Sequence, residues 1–162
     1  MNALIASLIA LAMASAVDEE ELLKKAAYPL TEAIRKATAI AKEGTLVSAD
    51  LEDDNGKAVY IVEFAHEKKV TEIKLDAVTG DLLTKEIEDD DKTGVVKACK
   101  VPLSKGIEIA VQKVPGKVVS ADTELEDDKP ILEVKVFADG KVQKVKINGV
   151  TGEVLSVKSK KS

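Results

Sequence analysis

Alternating apolar and polar residues predict several strands along the chain, and one such segment occurs twice. Residues 69–83, KVTEIKLDAVTGDLL, return at residues 141–155 as KVQKVKINGVTGEVL. Each copy alternates apolar and polar positions, then carries Val-Thr-Gly and a shorter second apolar run. This pattern predicts a strand, a glycine turn and another strand.

The repetition extends over most of the chain and divides it into two similar units. Residues 22–83 align with residues 95–155, and the register is unbroken from Gly44 and Gly116 onward. Within each unit the apolar period changes once, from that of a helix to that of a strand. We therefore predict two units, each with a helix followed by strands.

Each predicted helix begins after a proline and ends near a glycine. The apolar face of the two helices consists of Leu30, Ile34, Ala37 and Ala41, and of Leu103, Ile107, Ala110 and Val114. Gly44 is predicted to end the first helix, and Pro115-Gly116 the second. The short segments before the prolines, 22–28 and 95–101, are predicted to add one or two helical turns.

The strand segments predict a sheet with two different faces. Strands are predicted at 46–51 and 57–65 in the first unit and at 118–123 and 131–137 in the second, each pair followed by the repeated segment. One face is apolar and can receive the helix, whereas the other is charged and solvated. The predicted fold class is therefore α+β, two tandem units that each pack an N-terminal helix on an antiparallel sheet.

A turn closes each unit, and six residues are predicted to shape it: Asp76, Thr79, Gly80, Asn148, Thr151 and Gly152. Gly149 has no glycine counterpart in the first unit, because Ala77 stands there. Glycine follows the threonine in both units, so the positive φ is predicted at Gly80 and Gly152.

The N-terminal segment has the features of an export signal. Residues 3–16 are uncharged and mostly apolar, and they end in Ala14-Ser15-Ala16, a pattern typical of a signal-peptide cleavage site. The run is too short for a membrane-spanning helix, which needs about 20 apolar residues. We predict a signal peptide over 1–16 and an exported chain, periplasmic or extracellular, without a stable membrane anchor after cleavage. A buried N-terminal helix is the alternative.

Composition supplies the other predicted boundaries. They are a first unit over 17–87, an acidic linker over 88–94, a second unit over 95–158 and a basic tail over 159–162. A linker this short should place the units side by side and is compatible with one continuous sheet.

These motifs, in this order and present twice, resemble the PepSY domain. They are a helix starting at Leu30-Thr31 or Leu103-Ser104, Gly-x-[LV]-V-S-A-Asp at 44–50 and 116–122, and the closing [DN]-x-x-T-G-[DE]-[LV]-L. The resemblance implies cystatin-like units of exported bacterial proteins. It also implies a link to peptidase propeptides and a proposed role in restraining peptidases. It supplies no catalytic residues.

Composition argues against several classes of function. The net charge is -5 and aromatic residues make up 2%, whereas nucleic-acid readers need a basic face and stacking platforms. His66 is the only histidine, and its place at a predicted solvated strand end, with Ala138 at the equivalent position, argues against a catalytic triad. Cys99 is the only cysteine, so a zinc site has too few soft ligands. We predict a protein without enzymatic activity or cofactor. Cys99 is predicted to be buried, with pairing between chains as the alternative.

Acidic residues concentrate in one predicted loop of each unit. They are Asp50, Glu52, Asp53 and Asp54, and in the copy Glu124, Glu126, Asp127 and Asp128. Carboxylates of this kind bind Ca²⁺ in other proteins, but the spacing does not match an EF-hand. A solvated hairpin tip that protects a sheet edge is the favoured interpretation, with calcium as the alternative.

Two hypotheses for function remain. The first is a peptide-binding or peptidase-modulating module, to which an extended segment of a protein partner adds as a strand. The second is a structural, self-assembling envelope or extracellular subunit, filament-like, in which the partner is the protein itself.

Overall fold

The computed structural model describes residues 19–160. The signal peptide predicted over 1–16 and the last two residues of the predicted tail lie outside the described residues. The first unit contains α1 (Glu19–Lys25), α2 (Leu30–Ala41), β1 (Thr45–Asp54), β2 (Lys57–His66), β3 (Lys69–Asp76) and β4 (Leu82–Asp89). The second contains α3 (Thr93–Ala98), α4 (Leu103–Lys113), β5 (Lys117–Glu126), β6 (Lys129–Ala138), β7 (Lys141–Asn148) and β8 (Val154–Ser159).

The eight strands form one antiparallel sheet that runs through both units. Its strand order is β4-β3-β2-β1-β5-β6-β7-β8, so each unit contributes a four-stranded meander and β1 pairs with β5 at the centre. The predicted α+β fold, with a helix on an antiparallel sheet in each of two tandem units, is confirmed.

The junction between the units is short and symmetric. Ala49 lies opposite Ala121, Ser48 opposite Asp122, and Asp50 opposite Ser120. Corresponding strand residues of the two units are 72 positions apart (120 − 48), so Ser120 is the counterpart of Ser48 and Asp122 that of Asp50. A pseudo-twofold axis therefore passes through the sheet between the two alanines.

Helices α2 and α4 cover one face of this sheet. They bury Leu30, Ala33, Ala37 and Ala41, and Leu103, Gly106, Ile107 and Ala110, against a core whose largest fully buried side chains include Tyr60, Ile73, Leu75, Leu132 and Ile147. Each helix also contacts the central strand of the other unit, α2 with β5 and α4 with β1. Because Ala49 and Ala121 are small, both helices can approach the junction, and one core spans the two units.

The short helices tie each unit to its neighbour. The ammonium group of Lys117, at the start of β5, donates hydrogen bonds to the carbonyls of Leu23 (3.1 Å) and Ala26 (2.9 Å). These carbonyls lie at the C-terminal end of α1, where backbone acceptors lack helical partners and a cation is favourable. Helix α3 in turn contacts β2 of the first unit.

Two sequence-based predictions about element ends are wrong. Helix α2 ends at Ala41, because Lys42 takes a left-handed conformation (φ 67°) and its N–H donates to the carbonyl of Thr38. The acidic residues from Asp50 to Asp54 lie in β1 rather than in a loop, and Glu124 and Glu126 lie in β5. Acidic side chains that alternate with other residues fit the solvent face of a strand, so the acidic run does not end it.

The turns between these strands need only two residues. They are Asn55-Gly56 and Asp127-Asp128, all with positive φ, as expected for a tight hairpin. The acidic segment 88–94 begins inside β4 and ends inside α3. Among the described residues, no helix is long and apolar enough to cross a membrane.

Candidate functional site

The closing turns use their polar side chains to hold their own backbone. Asp76 Oδ1 accepts hydrogen bonds from the N–H groups of Val78 (2.7 Å) and Thr79 (3.2 Å), and Thr79 Oγ1 accepts one from Asp81. Asn148 and Thr151 repeat these contacts in the second unit. Gly80 and Gly152 both have φ of 78°. These oxygens are occupied by the turn, which argues for a structural role.

The first turn is also packed against the segment between α1 and α2. A Cβ atom added to Gly80 would lie 2.7 Å from the Tyr28 ring. The backbone N–H of Tyr28 donates to the carbonyl of Ala77, and the hydroxyl of Tyr60 donates to the carbonyl of Tyr28 (2.5 Å). At Gly152 the nearest atom to an added Cβ is 3.4 Å away, on Ile109. The two turns share a backbone geometry but not a packing environment.

A carboxyl pair, Asp50 and Asp122, lies at the junction of the units. Burial raises the pKa of Asp50 to about 8, and repulsion from Asp122 and Glu52 adds to the effect. Burial also raises the pKa of Asp122, which hydrogen-bonds to Asp50. At neutral pH Asp50 therefore keeps its proton and donates it to a carboxyl oxygen of Asp122. Other charges near the pair are Glu63, Glu133 and Lys135.

Sequence reasoning placed Asp50 at the end of a predicted strand and in the acidic loop that follows it, and did not foresee this pair. The signal that could have found the pair is the repeat itself, because a strand residue near a twofold axis lies close to the corresponding residue of the other unit. What the sequence lacked was the location of that axis.

The calcium candidates are not gathered into one site. In the described part of the chain, the acidic side chains close enough to share an ion are Glu124, Glu126 and Glu133, of which Glu133 lies outside the predicted acidic loops. Glu126 is already paired with Lys146 (2.5 Å). Of the first-unit set, Asp53 accepts a hydrogen bond from the Gly56 N–H, and Asp54 pairs with Lys74 (3.3 Å).

We expect millimolar calcium to leave the thermal unfolding of this protein unchanged. Lys146 already supplies the positive charge beside Glu126, and Ile61 in the first unit stands where Glu133 stands in the second. Differential scanning calorimetry with calcium, and with magnesium as the control, measures this. A saturable, calcium-specific rise in melting temperature would contradict the expectation.

His66 and Cys99 lie in environments that suit structural roles. His66 is exposed at the end of β2, with Nε2 3.7 Å from a Glu43 oxygen. Cys99 is half-buried, and its thiol donates to the carbonyl of Val101 (3.1 Å). Burial raises the pKa of this thiol, so it is protonated at neutral pH and a poor nucleophile. Cys99 is thus partly buried rather than enclosed in the core.

The outer strands leave two sheet edges unpaired within the described residues. All eight residues of β4 are exposed, including Leu82 (46%), Leu83 (45%) and Ile87 (62%). On the opposite edge, β8 is shorter and exposes Leu155 and Val157. An unpaired strand offers backbone donors and acceptors to an incoming strand, and the exposed apolar side chains add contact area.

Comparisons with known proteins identify both units. A family model described as peptidase propeptide and YPEB domain, PepSY, matches residues 16–86 and 100–158. Among solved structures, the chain is similar to a candidate lipoprotein from Clostridium difficile 630, with 24% identity, a TM-score of 0.48, and coverage of 86% of this chain and 97% of that one. It is also similar to the C-terminal domain of Bacillus megaterium YpeB, with 18% identity, a TM-score of 0.34, and coverage of 82% and 66%. No curated protein sequence matches this chain at a significant level.

Proposed function

The chain belongs to the PepSY family, and from this premise we propose that it is an exported, non-enzymatic protein that binds an extended peptide segment and thereby modulates a peptidase. The observation that carries the proposal is β4, an edge strand exposed over its whole length and bearing three large apolar side chains. A peptidase is the proposed partner because the family includes peptidase propeptides.

The charge around β4 indicates what kind of segment would bind there. The strand contains Glu86, Glu88 and Asp89, and the acidic residues Asp90 and Asp91 follow it. A segment that adds to this edge would place its side chains beside these carboxylates. We therefore propose an extended partner segment in which apolar residues alternate with Lys or Arg.

Non-enzymatic action is supported by the chemistry of the described residues. His66 faces Glu43, and the Cys99 thiol donates to the carbonyl of Val101 and is protonated at neutral pH. Ser48 and Ser120 lie opposite the carboxyl pair at the junction, and no histidine is among the groups that act on either carboxyl. Export is proposed from the signal peptide predicted over 1–16.

Substituting Leu83 by lysine in β4 should weaken peptide binding by about tenfold or more, because it places a cation where apolar contact and a basic segment are expected. The probe is a fluorescent eight-residue peptide that alternates Val and Lys, measured by anisotropy. The matched control is Leu155→Lys, which alters the corresponding residue of β8 and should leave binding within about twofold of wild type.

A peptidase assay tests the second part of the proposal. The chain is titrated into a secreted thermolysin-like metallopeptidase, and hydrolysis of a small substrate is followed. The proposed function fails if the wild-type chain neither binds the peptide nor alters peptidase activity. Equal losses from Leu83→Lys and Leu155→Lys would contradict the assignment to β4.

A self-assembling subunit is the second candidate, and the presence of two unpaired edges favours it. In this arrangement β4 of one copy would pair with β8 of the next, which extends the sheet without closure. A chain that stays monomeric at high concentration would remove this candidate.

A further inference from the structure

The sheet face opposite α2 and α4, here called the open face, carries two rows of like charge. In β2 and β3 the core residues Tyr60, Val62 and Ile73 point to the helices, so Glu63 and Glu72 point to the open face. Direct cross-strand pairing joins Glu63 to Glu72 and Glu72 to Glu86. We call Glu63, Glu72, Glu86 and Glu88 the Glu row.

The second unit carries the opposite charge in the corresponding row. Cross-strand pairing joins Lys135 to Lys144 and Lys144 to Lys158. The N–H of Lys160 donates to the carbonyl of Val142, which places that residue next along the edge. We call Lys135, Lys144, Lys158 and Lys160 the Lys row.

The two rows occupy equivalent positions of the repeat. Adding the offset of 72 positions to each member of the Glu row gives the members of the Lys row, 63 to 135, 72 to 144, 86 to 158 and 88 to 160. All four sites are reversed in charge, whereas Lys74 keeps its charge in Lys146 and Asp50 keeps its charge in Asp122. The reversal therefore affects one row rather than the whole face.

Within the described chain the charge of the Glu row is only partly compensated, by Lys74 near Glu72. No ion pair of the described residues involves any member of that row, and Lys74, in the same strand as Glu72, is paired with Asp54. Like charges placed directly opposite each other across strands are destabilising. Burial raises the pKa of Glu72, and the neighbouring Glu63, Glu88 and Glu86 raise it further, whereas Lys74 lowers it.

The Lys row is partly neutralised and leaves room for carboxylates. Glu19 lies 3.4 Å from Lys135 and 3.8 Å from Lys160, and Glu133 lies 3.5 Å from Lys144. Lys158 has no ion pair among the described residues. A cavity of about 230 Å³ opens between these side chains, lined by Glu19 and the four lysines of the row.

Charge also differs between the units as wholes. Residues 17–87 contain sixteen acidic and ten basic residues, whereas residues 95–158 contain nine acidic and eleven basic residues. One half of the molecule is therefore acidic and the other slightly basic. Each half complements the opposite half of a second copy.

We propose that the open face binds a second copy of this chain face to face, with the Glu row of each copy seated on the Lys row of the other. A twofold axis parallel to the strands and above the β1–β5 junction brings the acidic half of one copy over the basic half of its partner. The two rows are then offset by two residues along the strand, about 7 Å, which Glu and Lys side chains can bridge. The contact is isologous and closes at two copies.

This interface shares Glu86 and Glu88 with the proposed peptide site, but it is formed by side chains of the open face, whereas peptide addition also needs the backbone edge of β4. It also differs in outcome from edge pairing of strands. Face-to-face binding gives a closed dimer that weakens with added salt, and edge pairing gives open chains.

A charge exchange at Glu86 and Lys158 tests the proposal. Both residues are exposed and have no ion pair in the described chain, so reversal should leave the fold intact. Either Glu86→Lys or Lys158→Glu alone should weaken dimerisation by about tenfold or more, because like charges then face each other. The double variant restores opposite charges at both contacts, and its dimerisation should return to within about threefold of wild type.

Sedimentation velocity of the full chain, at low and at high ionic strength, measures these constants. Thermal unfolding is recorded in parallel, and each single reversal should preserve or raise the melting temperature because it relieves repulsion within its own row. Lys68→Glu, in the exposed β2–β3 turn, is the control with the same change of charge as Lys158→Glu and should dimerise like wild type.

Two results would overturn the proposal. One is a wild-type chain that stays monomeric at millimolar concentration and low salt, which would leave the two rows to a different partner. The other is a double variant that dimerises no better than the single variants.

Discussion

Replacing Gly80 by valine is expected to lower the free energy of unfolding by about 3 kcal/mol. A β-branched residue is strained at the φ of 78° that this turn requires. Its Cβ would also lie 2.7 Å from the ring of Tyr28, whose backbone N–H donates to the carbonyl of Ala77 in the same turn. Chemical denaturation monitored by circular dichroism measures the loss.

The corresponding turn of the second unit supplies the control. Gly152 has the same φ, but the nearest atom to an added Cβ is 3.4 Å away. Gly152→Val should therefore cost only about 1–2 kcal/mol, the backbone contribution alone. The difference comes from position 28, where tyrosine stands in the first unit and Val101 in the second.

A double substitution separates the two causes. In a Tyr28→Val background, Gly80→Val should cost about as much as Gly152→Val, because the ring has been removed. If Gly80→Val remains equally damaging without the ring, contact with Tyr28 is not the cause. If it leaves unfolding unchanged in the wild-type background, the turn is not as described.

Asp50→Asn is expected to stabilise the protein at alkaline pH by about 2 kcal/mol. In the folded state the pKa of Asp50 is about 8, whereas in the unfolded chain it returns to about 3.8. Between these values the folded state binds a proton that the unfolded state does not. The free energy of unfolding of the wild type therefore falls as pH rises from about 4 to about 8, and levels off above that.

Asparagine removes this dependence while keeping the contact, since its amide donates to Asp122 as the protonated acid does. The advantage of the variant should be absent near pH 4 and largest near pH 8. We expect the difference in the free energy of unfolding between variant and wild type to grow by less than the linkage limit of about 1.4 kcal/mol per pH unit, because Asp50 is only partly buried.

Urea unfolding at a series of pH values tests this, with Asp53→Asn as the matched control. Asp53 is exposed on the same strand, and asparagine can still accept the hydrogen bond from the Gly56 N–H. The control should follow the wild-type curve at every pH. If the free energy of unfolding of the Asp50→Asn variant changed with pH in parallel with that of wild type, Asp50 would be ionised in the folded protein at neutral pH.

Local pattern was sufficient for most of the fold. The stripe of Leu30, Ala37 and Ala41 and the alternation in the repeated segment predicted the helix, the strands and the face on which they pack. Glycine after threonine predicted where positive φ occurs. These features depend on residues close in sequence, whose spacing directly sets their geometry.

Strand ends and charged neighbourhoods were harder to predict. Asp50 to Asp54 suggested a loop by composition, yet the strand continues because only one of its faces is buried and the other tolerates carboxylates. The low solvent access of Asp50 depends on the other unit, and nothing near it in sequence indicates that. The sequence of the closing turn predicted its backbone conformation. It did not predict that Tyr28 packs on Gly80, because these residues are 52 positions apart.

The sequence by itself determined that this protein is a tandem repeat of two helix-on-sheet units, because a repeat is written directly in the order of residues. Only the tertiary structure decided that β1 and β5 join the units into one sheet about a pseudo-twofold axis. That pairing brings Asp50 to Asp122 and sets the Glu row and the Lys row on one face. The physical reason is that strand pairing between units depends on backbone hydrogen bonds, which any sequence can form, so the side chains alone do not specify which strands meet.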